Sequence, residues 1–487
     1  MMAGANPVLR TRKNVSGLGQ PGDDLDWYAK AVTELQTRPL ADPTSWRYLA
    51  AVHGYPGHSN DPLGQPGDVF PASADQNRFW DQCQHQSWFF LPWHRGYLAF
   101  FEEIVAAAVV KLGGPAGWAL PYWNYSDPNS QNARSLPPAF LSQANPDGTA
   151  NPLWLPNRMM QSTSDQISAG DVDLGALLHS PFAGAANGGD HGFGGPDTTF
   201  NHFGGVNGRL EDKPHNLVHD AVGGLMGDPD TAALDPVFWL HHANIDRLWE
   251  VWNERDPSFL NPTTATWLTG TKFELHDSNG AVVRFDASQM QVPATVRHGY
   301  QYDDVSDPIP PTPAISATVA GLALMVKSAQ NAVLVGASQP AVALAGPSTS
   351  VRVTFHQAER KRAVTRLAGA RSVRAFLNLE NVTGAGQHGS FDVYIDAPPA
   401  VSADRQRLPL LAGQLSTFGV HKASQLTSPH GGSGITSVLE ITPLIEQLHR
   451  ERNWDGAHLD VTFVKKDTPR ATTGTNLHIG RVSVYYA

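Results

Sequence analysis

The sequence predicts a mainly α-helical N-terminal domain with many ordered loops, followed by an all-β sandwich. Three observations predict it. Helical periodicity, most tryptophans and long Gly/Pro/Asn loops fill residues 1–305. A proline-rich stretch, "DPIPPTPAIS" (307–316), then reads as a stiff linker. Beyond it the apolar pattern changes to alternation between turn residues. A length of 487 residues implies at least two domains. We expect a first domain at 1–305, a linker at 306–316 and a second domain at 317–487. Charged residues are only 16%, with 45 glycines and 37 prolines, which implies ordered loops rather than disorder.

The helices come in order. "DDLDWYAKAVTELQTR" (23–38) is amphipathic, and "SWRYLAAVHG" (45–54) is a short helix stopped by Gly54. "PWHRGYLAFFEEIVAAAVVKLGG" (92–114) is long, with Pro92 near its start and Gly113 at its end. "KPHNLVHDAVGG" (213–224) is the next. "DPVFWLHHANIDRLWEVWNER" (235–255) takes Asp235 as its N-cap and Pro236 in its first turn. The strands follow: "SVRVTF" (350–355), "SVRAFLNL" (372–379), "GSFDVYI" (389–395), "HLDVTFV" (458–464) and "GRVSVYY" (480–486). One helix interrupts them, "TPLIEQLHRER" (442–452), with Thr442 expected as its N-cap.

Composition excludes several classes. The formal charge is −10 and no basic patch stands out, so nucleic acid is not an expected partner. No run of 18 apolar residues exists, so no membrane span is expected. A single cysteine excludes an intrachain disulfide. The N-terminal "MMAGANPVLRTRKNVSGLGQ" has no apolar core of a signal peptide, so a cytoplasmic location is expected, with export on a partner protein left open.

Histidines carry the chemistry. His215 and His219 are four apart, on one face of a helix. Alone, such a pair is more often a solvated or core face, and Asn216 stands where a zincin would need its glutamate. His94 starts the long helix, and His85 precedes it in a loop rich in aromatic residues. His241 and His242 are adjacent, so they diverge by about 100° and one of the two is the expected ligand. All-imidazole sites suit copper, zinc, iron or nickel rather than calcium or magnesium. A helical bundle with the metal between facing helices is the implied architecture.

Two longer patterns then stand out. His85, "FLPW" (90–93), His94, Arg95, Leu98 and Glu102 form one. Asp235, Pro236, Phe238, Trp239, His242 and Asp246 form the other. They resemble the copper-A and copper-B signatures of the tyrosinase family of type-3 copper proteins. The resemblance covers about 10–305 and implies a four-helix bundle around a dicopper site. It implies His53, His85 and His94 on one copper and His215, His219 and His242 on the other, with O2 as co-substrate. His53 ends its helix as the family's first ligand does, whereas His58 falls in the loop "YPGHSN". His191, His202 and the histidines from His276 onward show no ligand spacing.

Further roles follow from the resemblance. Cys83-Gln84-His85 matches the spacing at which fungal tyrosinases and molluscan haemocyanins join the sulfur to the histidine ring; the plainer reading is a small buried hydrophobe. Glu211 and Asn216 stand where the family orients and activates a water that takes the phenol's proton. Pro229 falls at the position that narrows the entrance, and Asp220 adds negative charge near the mouth. The C-terminal stretches "GSFDVYID" (389–396), "AGQLSTFGVHK" (412–422) and "NLHIGRVSVYY" (476–486) are similar to the C-terminal domain of plant polyphenol oxidases. There it covers the active site; here a lid, a copper-loading aid, an assembly surface or plain stabilisation are the expectations.

The function these features imply is a copper-dependent phenol oxidase. It would hydroxylate monophenols at the ortho carbon and oxidise o-diphenols to o-quinones. Catechol oxidation without hydroxylation, o-aminophenol oxidation and haemocyanin-type O2 carriage are the alternatives. The expected partner is a small phenol; a homo-oligomer and a copper chaperone are left open.

Overall fold

The computed structural model describes residues 9–309, 332–356, 373–396, 409–427, 432–466 and 475–487. Most of the expected linker (310–316) and Ser372 of one expected strand lie outside the described residues. The chain forms two compact units, and sequence order does not divide them simply. Of the described residues, those up to 84, 89–178 and from 213 to 309 form the first; 85–88, 179–212 and those from 332 on form the second.

In the first unit the helices are α1 (Asp24–Gln36), α2 (Trp46–His53), α3 (Ser73–Phe79), α4 (Phe90–Lys111), α5 (Leu217–Val222), α6 (Pro236–Arg255) and α7 (Ala265–Thr269). Local chemistry sets their ends. Asp23 caps α1 by accepting from the Leu25 and Asp26 amides, and Ser45 caps α2 by accepting from Tyr48. Asp235 caps α6 through the Val237 amide, with Pro236 at its first position. Asp235 also accepts from Arg158 Nε (2.8 Å) and Nη2 (2.7 Å), so one carboxylate fixes both a helix end and a loop. Gly113 follows α4 with φ 88°, the left-handed turn expected there.

The expected helix at 213–224 starts late. Pro214 disfavours helical geometry at the residue before it, and Lys213 is extended (φ −150°, ψ 128°). A wider turn spans Glu211–Asn216, and regular α-helix begins at Leu217.

Helices α4 and α6 are buried almost along their whole length and meet through aromatic rings: Phe101 stacks on Trp239 with centroids 3.4 Å apart. Asp246 of α6 ties the unit together. It accepts from Arg95 Nε of α4 (2.5 Å), Arg12 Nη1 (3.2 Å) and the hydroxyls of Tyr300 and Tyr302 (2.5 Å each). Arg12 also donates to Glu102 of α4, and the strand Arg10–Arg12 pairs in parallel with Tyr300–Tyr302. Burial alone would raise the Asp246 carboxyl, but Arg95 and Arg12 hold it below its usual range.

The second unit is built on a ten-stranded sheet. Its strands are β1 (Gly205–Val206), β2 (Val333–Ser338), β3 (Val342–Ala343), β4 (Ser348–Phe355), β5 (Ala375–Ala385), β6 (Phe391–Asp396), β7 (Leu410–Leu415), β8 (Ile435–Glu440), β9 (His458–Lys465) and β10 (Thr475–Tyr486). The hydrogen-bonded order is β7-β6-β9-β4-β2-β10-β5-β8-β1, with β3 paired to β10. Alternation decides the faces: Phe391, Val393 and Ile395 of β6 point inward opposite Val461 and Phe463 of β9. The sheet curls on itself, because a Cβ on Gly413 of β7 would sit 2.9 Å from the Leu439 side chain of β8. The helix Thr442–Arg452 buries Ile445 and Leu448. Thr442 does not cap it; its hydroxyl accepts from the Ala375 amide (2.9 Å). Segment 179–212 joins this sheet through charge: Asp190 accepts from Arg209 (2.9 Å) and Arg374 (2.6 Å), and both arginines also donate to Glu440.

Among the described residues no helix is long and apolar enough to cross a membrane.

Candidate metal centre

Histidines gather in the core of the first unit. One ligand atom each from His215, His219, His241 and His242 lies within 4.8 Å of the others, and His53, His94 and His242 form a second such group. His242 belongs to both. Its ring stacks on His94 with centroids 4.5 Å apart, and its Nε2 lies 3.3 Å from His215 Nε2. His58 is exposed on a short turn, away from this core.

Four of these imidazoles are each aimed by a protein oxygen. His53 Nδ1 lies 3.0 Å from the Pro229 carbonyl, His94 Nδ1 2.8 Å from Phe90 O, and His219 Nδ1 2.7 Å from Met226 O. His215 Nδ1 is 2.7 Å from Asn216 Oδ1. A carbonyl oxygen only accepts, so Nδ1 carries the proton in these neutral rings and Nε2 the lone pair. Burial first, and neighbouring imidazoles second, hold His94, His219, His241 and His242 well below the ordinary histidine range. The centre is therefore a set of neutral nitrogen donors.

Local packing explains these aims. A Cβ on Gly54, just after α2, would meet Pro229 O at 2.5 Å and Asp230 Cα at 2.9 Å. Glycine there lets the 229–230 backbone approach and deliver its carbonyl to His53. Pro229 is buried and acts here through that carbonyl. Asp220, on α5, is only 6% exposed. The walls are aromatic: Phe238 lies against His53 and His242, and Phe90 against His94 and His215. Cys83 is fully buried, and its sulfur lies within 4.8 Å of a His53 nitrogen.

The divergence argument for His241 and His242 does not separate them alone, since both approach His215 and His219. What separates them is His242's membership of the group with His53 and His94. Both His241 ring nitrogens lack a hydrogen-bond partner.

In the second unit His85 and Glu211 meet. His85 Nδ1 lies 2.9 Å from Glu211 Oε1, and the Gln86 amide donates to both carboxylate oxygens (2.9 and 3.0 Å). Burial pushes the Glu211 carboxyl up to about 8, although the Gln86 and Gly208 amides pull the other way. Phe203 stacks on the His85 ring with centroids 4.3 Å apart, and Phe418 presents an edge at 6.1 Å. Sequence reading missed Gln86, Phe203 and Phe418. Gln86 follows His85 directly but no motif marks it, and Phe203 and Phe418 are brought to His85 by tertiary packing.

With this geometry in hand, comparison with known proteins is informative. Residues 43–255 match the family model described as the common central domain of tyrosinase, and 331–487 match a domain of unknown function. The tyrosinase HcTyr1 of Hahella sp. (strain CCB-MM4) is 35% identical over 98% of this chain and 99% of its own length. A chloroplastic polyphenol oxidase of Vitis vinifera is 30% identical over 64% of this chain, which spans half of that protein. The structure of latent apple tyrosinase aligns over 99% of this chain and 98% of its own, with TM-score 0.59 and 21% identity, so the two share the fold. The chain belongs to the tyrosinase family and is an oxidoreductase, a copper-dependent phenol oxidase.

Proposed function

We propose that the protein hydroxylates monophenols at the ortho carbon and oxidises o-diphenols to o-quinones at a pair of copper ions. By the order of the motifs, His53, His85 and His94 hold one ion and His215, His219 and His242 the other. Helices α2, α4, α5 and α6 are then the four-helix bundle that carries the centre. When bound, the copper pair supplies O2 activation and takes up two electrons. The observation that carries the reading is the convergence of His215 Nε2 and His242 Nε2, 3.3 Å apart and fully buried. His215 Nδ1 faces the Asn216 oxygen, so its Nε2 lone pair is directed at His242 Nε2, and a proton or a metal cation can bridge the two nitrogens.

The chain's own residues supply orientation, dryness and proton handling. Protein oxygens fix the ring planes, which raises donor strength and restrains each rotamer. Phe90, Phe238 and their neighbours keep water out. A phenol of pKa about 10 must lose its hydroxyl proton to bind a metal at neutral pH. Glu211 and Asn216 hold the water that takes it. Asn216 Oδ1 is engaged by His215, while its Nδ2 is buried without a hydrogen-bond partner and so is available to that water. Pro229, at the position that narrows the entrance in the family, is smaller than the phenylalanine of some catechol oxidases and leaves room for bulky phenols. Asp220 favours cationic or neutral phenols over carboxylated ones. Cys83 joins the His85 ring in a thioether, the thiol and ring C–H giving up two hydrogens to O2, and the bond fixes an imidazole that no helix restrains.

The deciding experiment is oxygen uptake by the copper-loaded protein with a monophenol and with a catechol. Turnover of both is expected. Turnover of catechol alone would remove the proton-handling role of Glu211 and Asn216. Reversible O2 binding with neither oxidised would make the protein a carrier. Asp220→Asn, compared on tyramine and a phenolic acid, should shift preference toward the acid.

A further inference from the structure

We infer that strand β8, which lies between β5 and β1 in the C-terminal sheet, is a positioning element for His85, acting through the Ser437 hydroxyl. The inference rests on the reading of His85 as a copper ligand. A continuous polar path joins the two. Ser437 Oγ donates to Asp212 Oδ1 (3.2 Å), and Asn207 Nδ2 donates to the same oxygen (3.0 Å). Asn207 Oδ1 accepts from Gln86 Nε2 (2.8 Å). The Gln86 amide donates to Glu211, and Glu211 Oε1 meets His85 Nδ1 at 2.9 Å. Ser437, Asn207, Gln86, Glu211 and His85 are each no more than 1% exposed.

The backbone repeats the connection. Strand β1 pairs in parallel with β8, Gly205 opposite Ile435 and Val206 opposite Thr436, and the Asn207 amide reaches the Thr436 carbonyl (3.4 Å). The Gly204 amide donates to Gln86 Oε1 (2.9 Å), and the Asn201 side chain donates to the carbonyls of His85 (2.8 Å) and Gly204 (2.9 Å). Gln86 itself sits at φ 52°, a left-handed conformation that a non-glycine residue keeps only when its surroundings impose it. Here the imposing groups are Glu211, Asn207 and Gly204, and β8 holds the segment that carries all three. In a buried network each missing partner leaves a neighbour unsatisfied, so the effect of one deletion travels. The C-terminal residues thus form part of the support of the imidazole. They are not a separable addition to it.

The test uses copper-loaded full-length protein with Ser437→Ala and Ser437→Thr. Hydrogen exchange of the peptide carrying Gln86 is read by mass spectrometry beside copper content. In Ser437→Ala the Gln86 amide should exchange about tenfold faster, the change that one net hydrogen bond supplies. Copper content should fall toward one ion, and catechol kcat should drop more than KM changes. Ser437→Thr, which keeps the hydroxyl, should restore all three. Wild-type exchange and full copper in Ser437→Ala, or no rescue by threonine, overturns the inference. If Ser437→Ala does not fold, Asp212→Asn reports the same exchange with little change of shape. A wild type that binds no copper sinks the functional reading instead, and the exchange result still decides the positioning role.

Discussion

His215 Nε2 and His242 Nε2 lie 3.3 Å apart between two fully buried rings, one from the turn before α5 and one from α6. The Asn216 side-chain oxygen orients the His215 ring, Phe238 and His94 pack against the His242 ring, and the two nitrogens lie within hydrogen-bonding distance. A bound cation would replace that contact. Copper at about a thousandfold above its Kd should stabilise the protein by about 4 kcal/mol. Chelation should lower Tm accordingly, and His242→Ala should lose both the copper and most of the copper-dependent increment. Calorimetry with and without copper checks this.

The same burial sets a pH dependence. His94, His219, His241 and His242 titrate well below the ordinary value of 6.5. The unfolded chain therefore binds protons near that value while the folded chain does not. Stability of the copper-free protein should be level above pH 6.5 and fall as pH drops below it. Replacing His241 by Leu should flatten the acid slope; an unchanged slope in urea titrations would remove His241 as a contributor.

Asn216 should separate the two reactions. Asn216→Ala leaves His215 Nδ1 without its acceptor and removes the amide that faces the proposed water. Monophenol hydroxylation should fall by about a hundredfold, the lower range for losing proton-transfer assistance, while catechol oxidation falls much less. Initial rates on a matched monophenol–catechol pair give the ratio.

Cys83 is fully buried and two residues before His85. Peptide mass spectrometry of copper-matured protein should find the two side chains joined, with the loss of two hydrogens. An alkylatable Cys83 in the unfolded, copper-matured protein would return it to packing alone.

Local rules made part of this protein legible in its sequence. Ser45, Asp235 and Gly113 mark helix ends because capping acts over a few residues. Alternation placed the strands at 350–355, 389–395, 458–464 and 480–486 because the pleat fixes a period of two. The histidine-bearing motifs revealed the family because they are long contiguous patterns written in residue type.

What tertiary structure alone decided are the non-local partnerships. His53, not His58, reaches His94 and His242, because Gly54 admits the 229–230 backbone that aims its ring. Lys213 breaks the expected helix, yet His215 and His219 still meet, because the break precedes both and Asn216 keeps right-handed helical geometry between them. Glu102 and Arg95, indistinct in the sequence, divide between Arg12 and Asp246. Segment 179–212 joins the C-terminal sheet rather than the helices, which sets Glu211 against His85. A buried polar group must be satisfied by whatever the fold brings to it, and which group that is depends on contacts hundreds of residues apart in the chain.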